Sequence, residues 1–281
     1  MTLRKARDLY PAKVGVVDGD RTFTYARIGE RVNSLARFFQ TRDIKPRDRI
    51  SILEVNSLAF LETYYAAAGI GAILNPLNYR LAPQEIAYIL RDSGSRWLVA
   101  GSRFASLVKG ILDEDTPLEG ILQIGDSPSF SEGITCYEYE NMIHSHAGIF
   151  EPVAIREDDV AHLYYTSGTT GRPKGVMLTH KNVCFHALGT IAELKLTDSD
   201  IWGHIAPMFH LADAWAAFAI TWVGGCHVMV AQFEAEAVMA TIERERITLS
   251  NMIPTMLNLM IKHPKVGEFD FSSLRVILSG G

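Results

Sequence analysis

The sequence predicts an α/β fold built mainly from parallel sheets. Short apolar runs rich in β-branched residues alternate with segments whose apolar residues recur at helical spacing, over most of the 281 residues. Strands that alternate with helices at this interval pair in parallel, and the helices cover the faces of the sheet. A hydrophobic content of 48% with 21% charged residues is typical of a globular chain with a large core.

Residues 1–158 are predicted to form a first α/β subdomain with peripheral strands. Apolar residues at helical spacing predict a helix soon after Tyr25, and residues 49–53 read as a buried strand. The elements expected next are a helix over 58–68, a strand over 71–74, a helix that begins at Pro83 and a strand over 96–100. Residues 101–158 have a weaker pattern, from which we expect only strands and loops.

Residues 159–281 are predicted to form a second α/β subdomain. The expected strands are 161–165, 227–231 and 276–278, and the expected helices are 181–194, 214–223, 234–244 and 255–262. The sequence ends at Gly281, directly after the last of these strands. Ligands bind at the carboxyl ends of strands in open α/β sheets. We therefore expect this second subdomain to be truncated.

Charge and composition exclude several classes of function. Lys and Arg number 27 and Asp and Glu 32, a net charge of −5 with no long run of either sign, which argues against nucleic acid as a partner. Three scattered cysteines favour a reducing compartment. The first 25 residues lack the apolar core of a secretory signal, and Gly224 and Gly225 interrupt the apolar stretch 214–231. We expect a cytoplasmic protein without a transmembrane segment. Its oligomeric state is open, a homodimer included.

One segment, TSGTTGRPKG at 166–175, has the composition of a phosphate-binding loop. It contains the hydroxyl residues Thr166, Ser167, Thr169 and Thr170, the glycines Gly168, Gly171 and Gly175, and one lysine, Lys174. Glycines let backbone N–H groups approach an anion, hydroxyls add donors and a lysine supplies a positive charge. The spacing differs from a Walker A loop, because Pro173 occupies the position of the second glycine.

The order of residues in this segment resembles the phosphate-binding signature of the adenylate-forming superfamily. That superfamily includes acyl- and aryl-CoA synthetases (AMP-dependent synthetases and ligases), peptide-synthetase adenylation domains and firefly luciferase. Further similar motifs are FTY at 23–25, DRI at 48–50, Asn56, the stretch 71–78, PMFH at 207–210, IPT at 253–255 and SGG at 279–281. The resemblance thus covers nearly the whole chain.

The resemblance implies a fold and a reaction. The fold is the N-terminal part of the luciferase-like large domain, with two layered subdomains, the second incomplete, and without the small C-terminal domain. The reaction joins ATP and a carboxylic acid into an acyl-adenylate, and coenzyme A then takes the acyl group. Mg²⁺ shares the phosphate charge, and its glutamate ligand in this superfamily is expected beyond residue 281, so no metal ligand is assigned here. Because the adenylation lysine is also expected there, we predict that this chain alone is inactive.

The resemblance also implies roles for individual residues. The loop residues listed above would grip the phosphates, and Lys174 and His210 are the candidate catalytic residues. Phe209, His210 and Trp215 would line the acyl pocket, and Gly280 and Gly281 one side of the adenine slot. Each has a structural alternative: Lys174 could set the geometry of the loop, His210 could be a helix-start histidine and Trp215 could be core packing.

Two further questions stay open from the sequence. The acid is fatty or aryl, since residues 212–222 combine aromatic and small side chains. The alternatives to a CoA ligase are a non-catalytic nucleotide- or acyl-binding module and an adenylation enzyme of the peptide-synthetase type. Met252, Met256 and Met260 recur every four residues, which indicates core packing rather than a cofactor site.

Overall fold

A computed structural model describes residues 2–126, 133–166 and 172–280. The helices are α1 Thr2–Leu9, α2 Tyr25–Thr41, α3 Leu58–Gly69, α4 Pro83–Ser93, α5 Ala105–Leu112, α6 Tyr139–Ser145, α7 His180–Leu194, α8 Leu211–Ala214, α9 Ala216–Val223, α10 Ala235–Glu245 and α11 Pro254–Ile261. The strands are β1 Val14–Asp18, β2 Arg21–Thr24, β3 Arg49–Leu53, β4 Ile73–Pro76, β5 Trp97–Gly101, β6 Gly120–Ile124, β7 Thr135–Glu138, β8 Val160–Thr166, β9 Lys174–Thr179, β10 Ile201–His204, β11 Cys226–Met229, β12 Leu249–Asn251 and β13 Val276–Leu278.

The strands of the described ranges form two sheets. One has the order β13-β12-β10-β11-β1-β2 and the other β7-β6-β5-β3-β4-β8-β9. Pairing is parallel in both except at one edge of each, where β1 pairs with β2 and β8 with β9 in antiparallel fashion. The predicted α/β class with mostly parallel sheets is confirmed.

The chain divides into two compact units that alternate along the sequence. Unit 1 comprises residues 1–29, 55–58 and 184–281, and unit 2 comprises residues 30–54 and 59–183. Strands β1 and β2 of unit 1 share a sheet with β10 to β13. The boundary expected between residues 158 and 159 stays a prediction, and each of the two sheets draws strands from both sides of it.

The core of unit 2 forms where α4 and α5 pack against the middle strands of its sheet. Ile86 and Leu90 of α4 and Val108 of α5 are buried together with Leu98 of β5 and Ile121 of β6. Helix α4 begins with Pro83 at its first turn and ends at Gly94, which has a φ of 64°. Local capping signals and the apolar face thus agree on the extent of this helix.

The core of unit 1 lies between its sheet and the helices α10 and α11. Val228 of β11 packs with Val238 and Ile242 of α10 and with methionines of the α11 region. Met252, Met256 and Met260 are all buried in this cluster. The prediction that this methionine stripe is core packing is confirmed.

The most apolar stretch of the sequence folds as the predicted helix, turn and strand. Helix α9 ends at Gly224, whose φ of 78° places it in the left-handed region, and β11 follows. A Cβ at Gly224 would lie 2.4 Å from the Tyr10 ring, so glycine is also required sterically. Within the described ranges, no helix combines the length and the apolarity that a membrane crossing requires.

The structure corrects several predicted elements. Residues 101–158 contain the helices α5 and α6, which the weak pattern did not indicate. The strands β9, β10 and β12 were also not predicted, and neither was the short helix α8, which precedes the helix expected over 214–223 and found as α9. Strands β10 and β12 have only 4 and 3 residues. Such short runs show no periodicity, and tertiary pairing determines them.

Candidate active site

The two ends of the predicted phosphate loop lie side by side in unit 2. Strands β8 and β9 form an antiparallel hairpin in which Thr166 and Lys174 are partner residues. Both are exposed. Ser167, Gly168, Thr169, Thr170 and Gly171 lie outside the described residues. The hairpin therefore presents a hydroxyl and an ammonium group together at the two ends of the loop.

The base of this hairpin is held by tyrosine contacts. The hydroxyl groups of Tyr164 and Tyr64 are 2.7 Å apart in the interior, and the Tyr165 hydroxyl donates to Asp92 at 2.6 Å. Partial burial and the bond to Asp92 raise the pKa of Tyr165, so it stays a hydroxyl donor. A Cβ at Gly175 would lie 3.1 Å from the Tyr165 ring. Gly175 thus lets the aromatic ring of its cross-strand partner pack over the backbone.

His210 begins helix α8 in unit 1, and its imidazole is exposed. Its carbonyl oxygen accepts hydrogen bonds from the backbone N–H groups of Asp213 and Ala214, at 3.1 and 3.0 Å. The preceding Phe209 is buried, and its ring centroid lies 4.4 Å from that of His210. The PMFH motif at 207–210 therefore places the Phe209 ring in the interior and the His210 imidazole at the surface.

Asn56 holds the backbone that leads to His210. Its side-chain amide donates to the carbonyl oxygens of His204 and Ala206, at 2.7 and 2.9 Å, and its carbonyl oxygen accepts from the backbone N–H of Met208 at 2.7 Å. The side chain is only 5% exposed. Asn56 entered the sequence prediction only as part of a motif, because no local signal indicates that it binds a loop about 150 residues away.

A series of hydrogen-bonded, buried polar side chains connects Asp213 of α8 to neighbouring elements of unit 1. Asp213 accepts from the indole N–H of Trp202 at 3.1 Å and contacts Nδ1 of His204 at 2.5 Å. Nε2 of His204 lies 2.9 Å from Nδ1 of His227, whose Nε2 lies 2.9 Å from the hydroxyl of Thr221. His204 is fully buried. Asp213, His227 and Thr221 were not among the predicted site residues.

Trp215 packs between two rings of unit 1. Its ring centroid lies 4.8 Å from that of Trp202 and 6.0 Å from that of His186, and its indole N–H donates to the carbonyl oxygen of Ala212 at 3.0 Å. Trp215 is partly exposed. This contact set describes packing, while its assignment to the acyl pocket stays a prediction.

The end of β13 places Gly280 at the carboxyl edge of the unit 1 sheet. Leu278 accepts a hydrogen bond from the backbone N–H of Met252 at 3.0 Å, and Gly280 follows in exposed backbone. Gly281 lies outside the described residues. Thr166 and Lys174 belong to unit 2, whereas His210, Phe209, Trp215 and Gly280 belong to unit 1. Within each unit the predicted residues lie at strand ends and at a helix start.

Comparison with known proteins identifies the family. The profile of the AMP-binding enzyme family matches residues 3–281. The chain belongs to the AMP-binding enzyme family. A feruloyl-CoA synthase from Amycolatopsis sp is 32% identical over 289 residues, which cover 99% of this chain and 53% of that relative. A crotonobetaine/carnitine–CoA ligase from Salmonella paratyphi B is 31% identical over 246 residues, 87% of this chain and 47% of that relative.

Crystal structures of other AMP-binding enzymes have the same fold. The anthranilate CoA ligase AuaEII in complex with anthranoyl-AMP superposes with a TM-score of 0.92 at 26% identity, covering 99% of this chain and 54% of that one. The N-terminal domain of FACL13 from Mycobacterium tuberculosis superposes with a TM-score of 0.88 at 29% identity, covering 100% of this chain and 69% of that one. This AMP-binding chain spans about half the length of the curated relatives it matches.

Proposed function

We propose that the protein carrying this chain is an ATP-dependent carboxylic acid:CoA ligase that works through an acyl-adenylate. The observation that carries the proposal is the β8–β9 hairpin, which brings Thr166 and Lys174 to the two ends of the family's phosphate-binding signature. The relatives named as feruloyl-CoA synthase and carnitine–CoA ligase support an acid–thiol ligase. The acid, coenzyme A and ATP are the expected small-molecule partners.

The hairpin would serve the first half-reaction by neutralising phosphate charge. A carboxylate that attacks the α-phosphate of ATP meets like-charge repulsion, so the site must supply donors and cations around the phosphates. In this proposal the Lys174 ammonium binds the departing pyrophosphate, and the Thr166 hydroxyl adds a donor beside it. Both groups are exposed, which an incoming nucleotide requires.

His210 would contact the substrate carboxylate and the adenylate. Its imidazole is at the surface, while its backbone is bonded to Asp213 and Ala214. A fixed backbone with an accessible ring suits a donor that must meet a small anionic substrate in one orientation. The buried Phe209 would form the adjacent wall of the acyl pocket.

Mg²⁺ and the finer assignments belong to this proposal as well. Among the described residues, no group of three histidine, cysteine or acidic side chains could hold a metal ion, so we derive no step through Mg²⁺. A fatty or an aryl acid, a cytoplasmic location and a homodimer stay predictions. A non-catalytic nucleotide- or acyl-binding module and a peptide-synthetase-type adenylation enzyme are the alternatives, and the exchange experiment separates them.

ATP–pyrophosphate exchange tests the proposal. The full gene product that contains this chain is assayed with a panel of fatty, aryl and amino acids, with and without coenzyme A. Exchange with one class of carboxylic acid and acyl-CoA formation are the expected results. Exchange restricted to amino acids would favour the peptide-synthetase type, and nucleotide binding without any exchange would favour the non-catalytic module.

Lys174→Ala is the matched test of the phosphate-loop assignment. We expect exchange to fall by at least about tenfold, because a charge-assisted contact to a phosphate is lost. Lys181→Ala is the control, since Lys181 is an exposed lysine of the same unit whose partner is Glu157 at 3.3 Å. Exchange in Lys174→Ala that equals the control would remove Lys174 from the site.

A further inference from the structure

The buried polar chain from Asp213 to Thr221 has no assigned role in the reaction. Its members Trp202, His204, Asp213, Thr221 and His227 are all 0% exposed. They lie on β10, α8, α9 and β11, so the chain connects four elements of unit 1. A buried carboxylate is costly unless its oxygens are fully hydrogen-bonded, so this arrangement requires a specific set of donors.

Two donors of this chain are directed at the carboxylate of Asp213. An ionised carboxylate only accepts, so the indole N–H of Trp202 and the Nδ1–H of His204 donate to Asp213. Nε2 of His204 shares a hydrogen bond with Nδ1 of His227, and Nε2 of His227 shares one with the Thr221 hydroxyl. Each ring nitrogen of the two histidines thus has a partner. Burial, and the neighbouring His204, hold the pKa of His227 well below its usual value, which keeps the ring neutral.

The carboxylate at the head of the chain is three residues from His210. The backbone N–H of Asp213 donates to the carbonyl oxygen of His210, so the anchored side chain and the first turn of α8 are one rigid piece. On the other side of His210, Asn56 binds the backbone N–H of Met208 and the carbonyl oxygen of Ala206. The exposed imidazole therefore projects from a backbone that is fixed both before and after it.

We propose that Asp213 is a positioning residue for His210, with His204, His227 and Thr221 as its support. The inference rests on the proposed ligase function and deepens it. Asp213 touches no substrate in this account. It fixes the orientation of the helix start from which the His210 imidazole meets the substrate carboxylate. Misplacement of a substrate-positioning group by about 1 Å can reduce a rate on the order of 100-fold.

The test compares two buried aspartates of unit 1. Asp213→Asn keeps the shape of the side chain and removes its charge. An amide nitrogen that replaces the oxygen facing His204 donates instead of accepting, so His204 keeps this bond only by changing tautomer, which also reverses its bond to His227. Asp200→Asn is the matched control. Asp200 is 4% exposed and bonded to Arg275 at 2.9 and 3.0 Å, but it precedes β10, whereas His204 ends that strand. Both substitutions remove a buried carboxylate, and only one adjoins His210.

The first readout is independent of any enzyme activity. Nitrogen and proton NMR of the full gene product records the His210 ring, assigned by its loss in His210→Gln. We expect the His210 resonances to move in Asp213→Asn and to stay in place in Asp200→Asn. Unchanged His210 resonances in Asp213→Asn, with the variant folded, would overturn the proposal whatever reaction the protein performs.

The second readout is the rate of adenylation by the full gene product. We expect Asp213→Asn to lower kcat about 10- to 100-fold and to leave the KM for ATP within about twofold, while Asp200→Asn leaves both nearly unchanged. Equal losses in the two variants would mean a structural role only. If the wild-type protein exchanges with no acid, the proposed function fails, and the NMR result decides the positioning role separately.

Thr221→Val tests the positioning role of Asp213 if the Asp213→Asn variant does not fold. Valine has nearly the shape of threonine and removes only the donor at the far end of the chain. Loss of the hydroxyl should affect His227, then His204 and then Asp213. We therefore expect a smaller shift of the same His210 resonances. We also expect kcat to fall two- to fivefold, which corresponds to on the order of 0.4 to 1 kcal/mol in the activation barrier. No shift and no rate change would contradict a continuous chain.

Discussion

Two buried carboxylates, one in each unit, are stabilised by different partners. Glu62 in unit 2 accepts from the Arg31 guanidinium at 2.5 and 3.2 Å and from the Tyr139 hydroxyl at 2.7 Å. Asp213 in unit 1 accepts from an indole N–H and a histidine Nδ1–H. Both side chains are 0% exposed. The first carboxylate is paired with a guanidinium, and the second is held by an indole and an imidazole.

This difference in partners predicts what the loss of a partner does to each buried carboxylate. Burial raises the pKa of Glu62, whereas Arg31 and Tyr139 lower it, so its ionised form depends on the cation. Arg31 also binds Glu140 at 2.7 and 2.8 Å, which joins α2 to α3 and α6 within unit 2. Asp213 depends on donors from β10, whose loss disturbs a helix start at a proposed active site. The arginine network joins elements of a core, and in our proposal the chain of Asp213 orients a surface residue.

The largest loss of stability is expected when the Arg31 guanidinium is removed. Arg31→Met should lower the free energy of unfolding by about 3–5 kcal/mol, because it leaves a buried carboxylate without a cation. Urea denaturation measures it. Arg96→Met is the control, since Arg96 pairs with Glu119 at 2.5 and 2.6 Å on the surface, where such pairs contribute about 0–1 kcal/mol. Similar losses in the two variants would contradict the distinction between buried and exposed pairs.

A smaller loss is expected when a neutral clamp is removed. Asn56→Ala leaves two carbonyl oxygens and one N–H of the 204–208 backbone without this partner, and buried groups of this kind cost about 1–3 kcal/mol each when unpaired. We expect a loss of about 2–3 kcal/mol after partial rehydration of the loop. Asn78→Ala, which removes one exposed bond to the Arg80 N–H, should cost less than 1 kcal/mol by the same measure. If Asn56→Ala lost no more stability than Asn78→Ala, the loop at 204–208 would not depend on the Asn56 side chain.

The smallest effect is a dependence of stability on pH. Burial lowers the pKa of His162 in unit 2 to about 3, with His180 adding to the shift, and lowers that of His227 in unit 1 well below 6.5. The unfolded chain binds these protons near pH 6.5 and the folded chain does not. Stability is therefore complete above pH 6.5 and falls as the pH drops below it, by at most about 1.4 kcal/mol per pH unit for each histidine.

His162→Phe separates the two contributions to that slope. The ring of His162 lies edge-on to Tyr64 and Tyr164, with centroids 5.1 and 6.0 Å apart, contacts that phenylalanine can keep. Between pH 6 and pH 5 we expect the slope of the unfolding free energy against pH to fall by about one proton, leaving the parts due to His227 and to His180, whose pKa burial also lowers. An unchanged slope, measured by urea denaturation at each pH, would contradict the neutral state of buried His162.

The elements that the sequence predicted well are those with strong local signals. The strand expected over 49–53 is β3, and the helix expected from Pro83 is α4, because a continuous apolar run and a proline–glycine pair of helix ends act within a few residues. Strand β9 was missed although it follows the most informative motif. Its residues are exposed or half-buried, and only pairing with β8 reveals the strand.

The candidate site also contains residues that local sequence signals indicate and residues that only tertiary contacts reveal. The motif TSGTTGRPKG and the position of His210 could be read from residue order, because a loop of glycines, hydroxyls and a lysine carries its chemistry within ten residues. Asn56 and Asp213 could not be found that way. Asn56 binds backbone groups about 150 residues away, and the His204 side chain joins Asp213 to His227 across 9 and 23 residues.

Local composition and spacing were thus enough for the fold class, most helices and the phosphate-loop motif, since these follow from interactions between near neighbours. Strand order, the pairing of Thr166 with Lys174 and the partners of the buried carboxylates were decided by tertiary structure. A buried polar group is stable only with a partner of fixed distance and direction, and that partner is supplied by sheet register and packing rather than by the residues beside it.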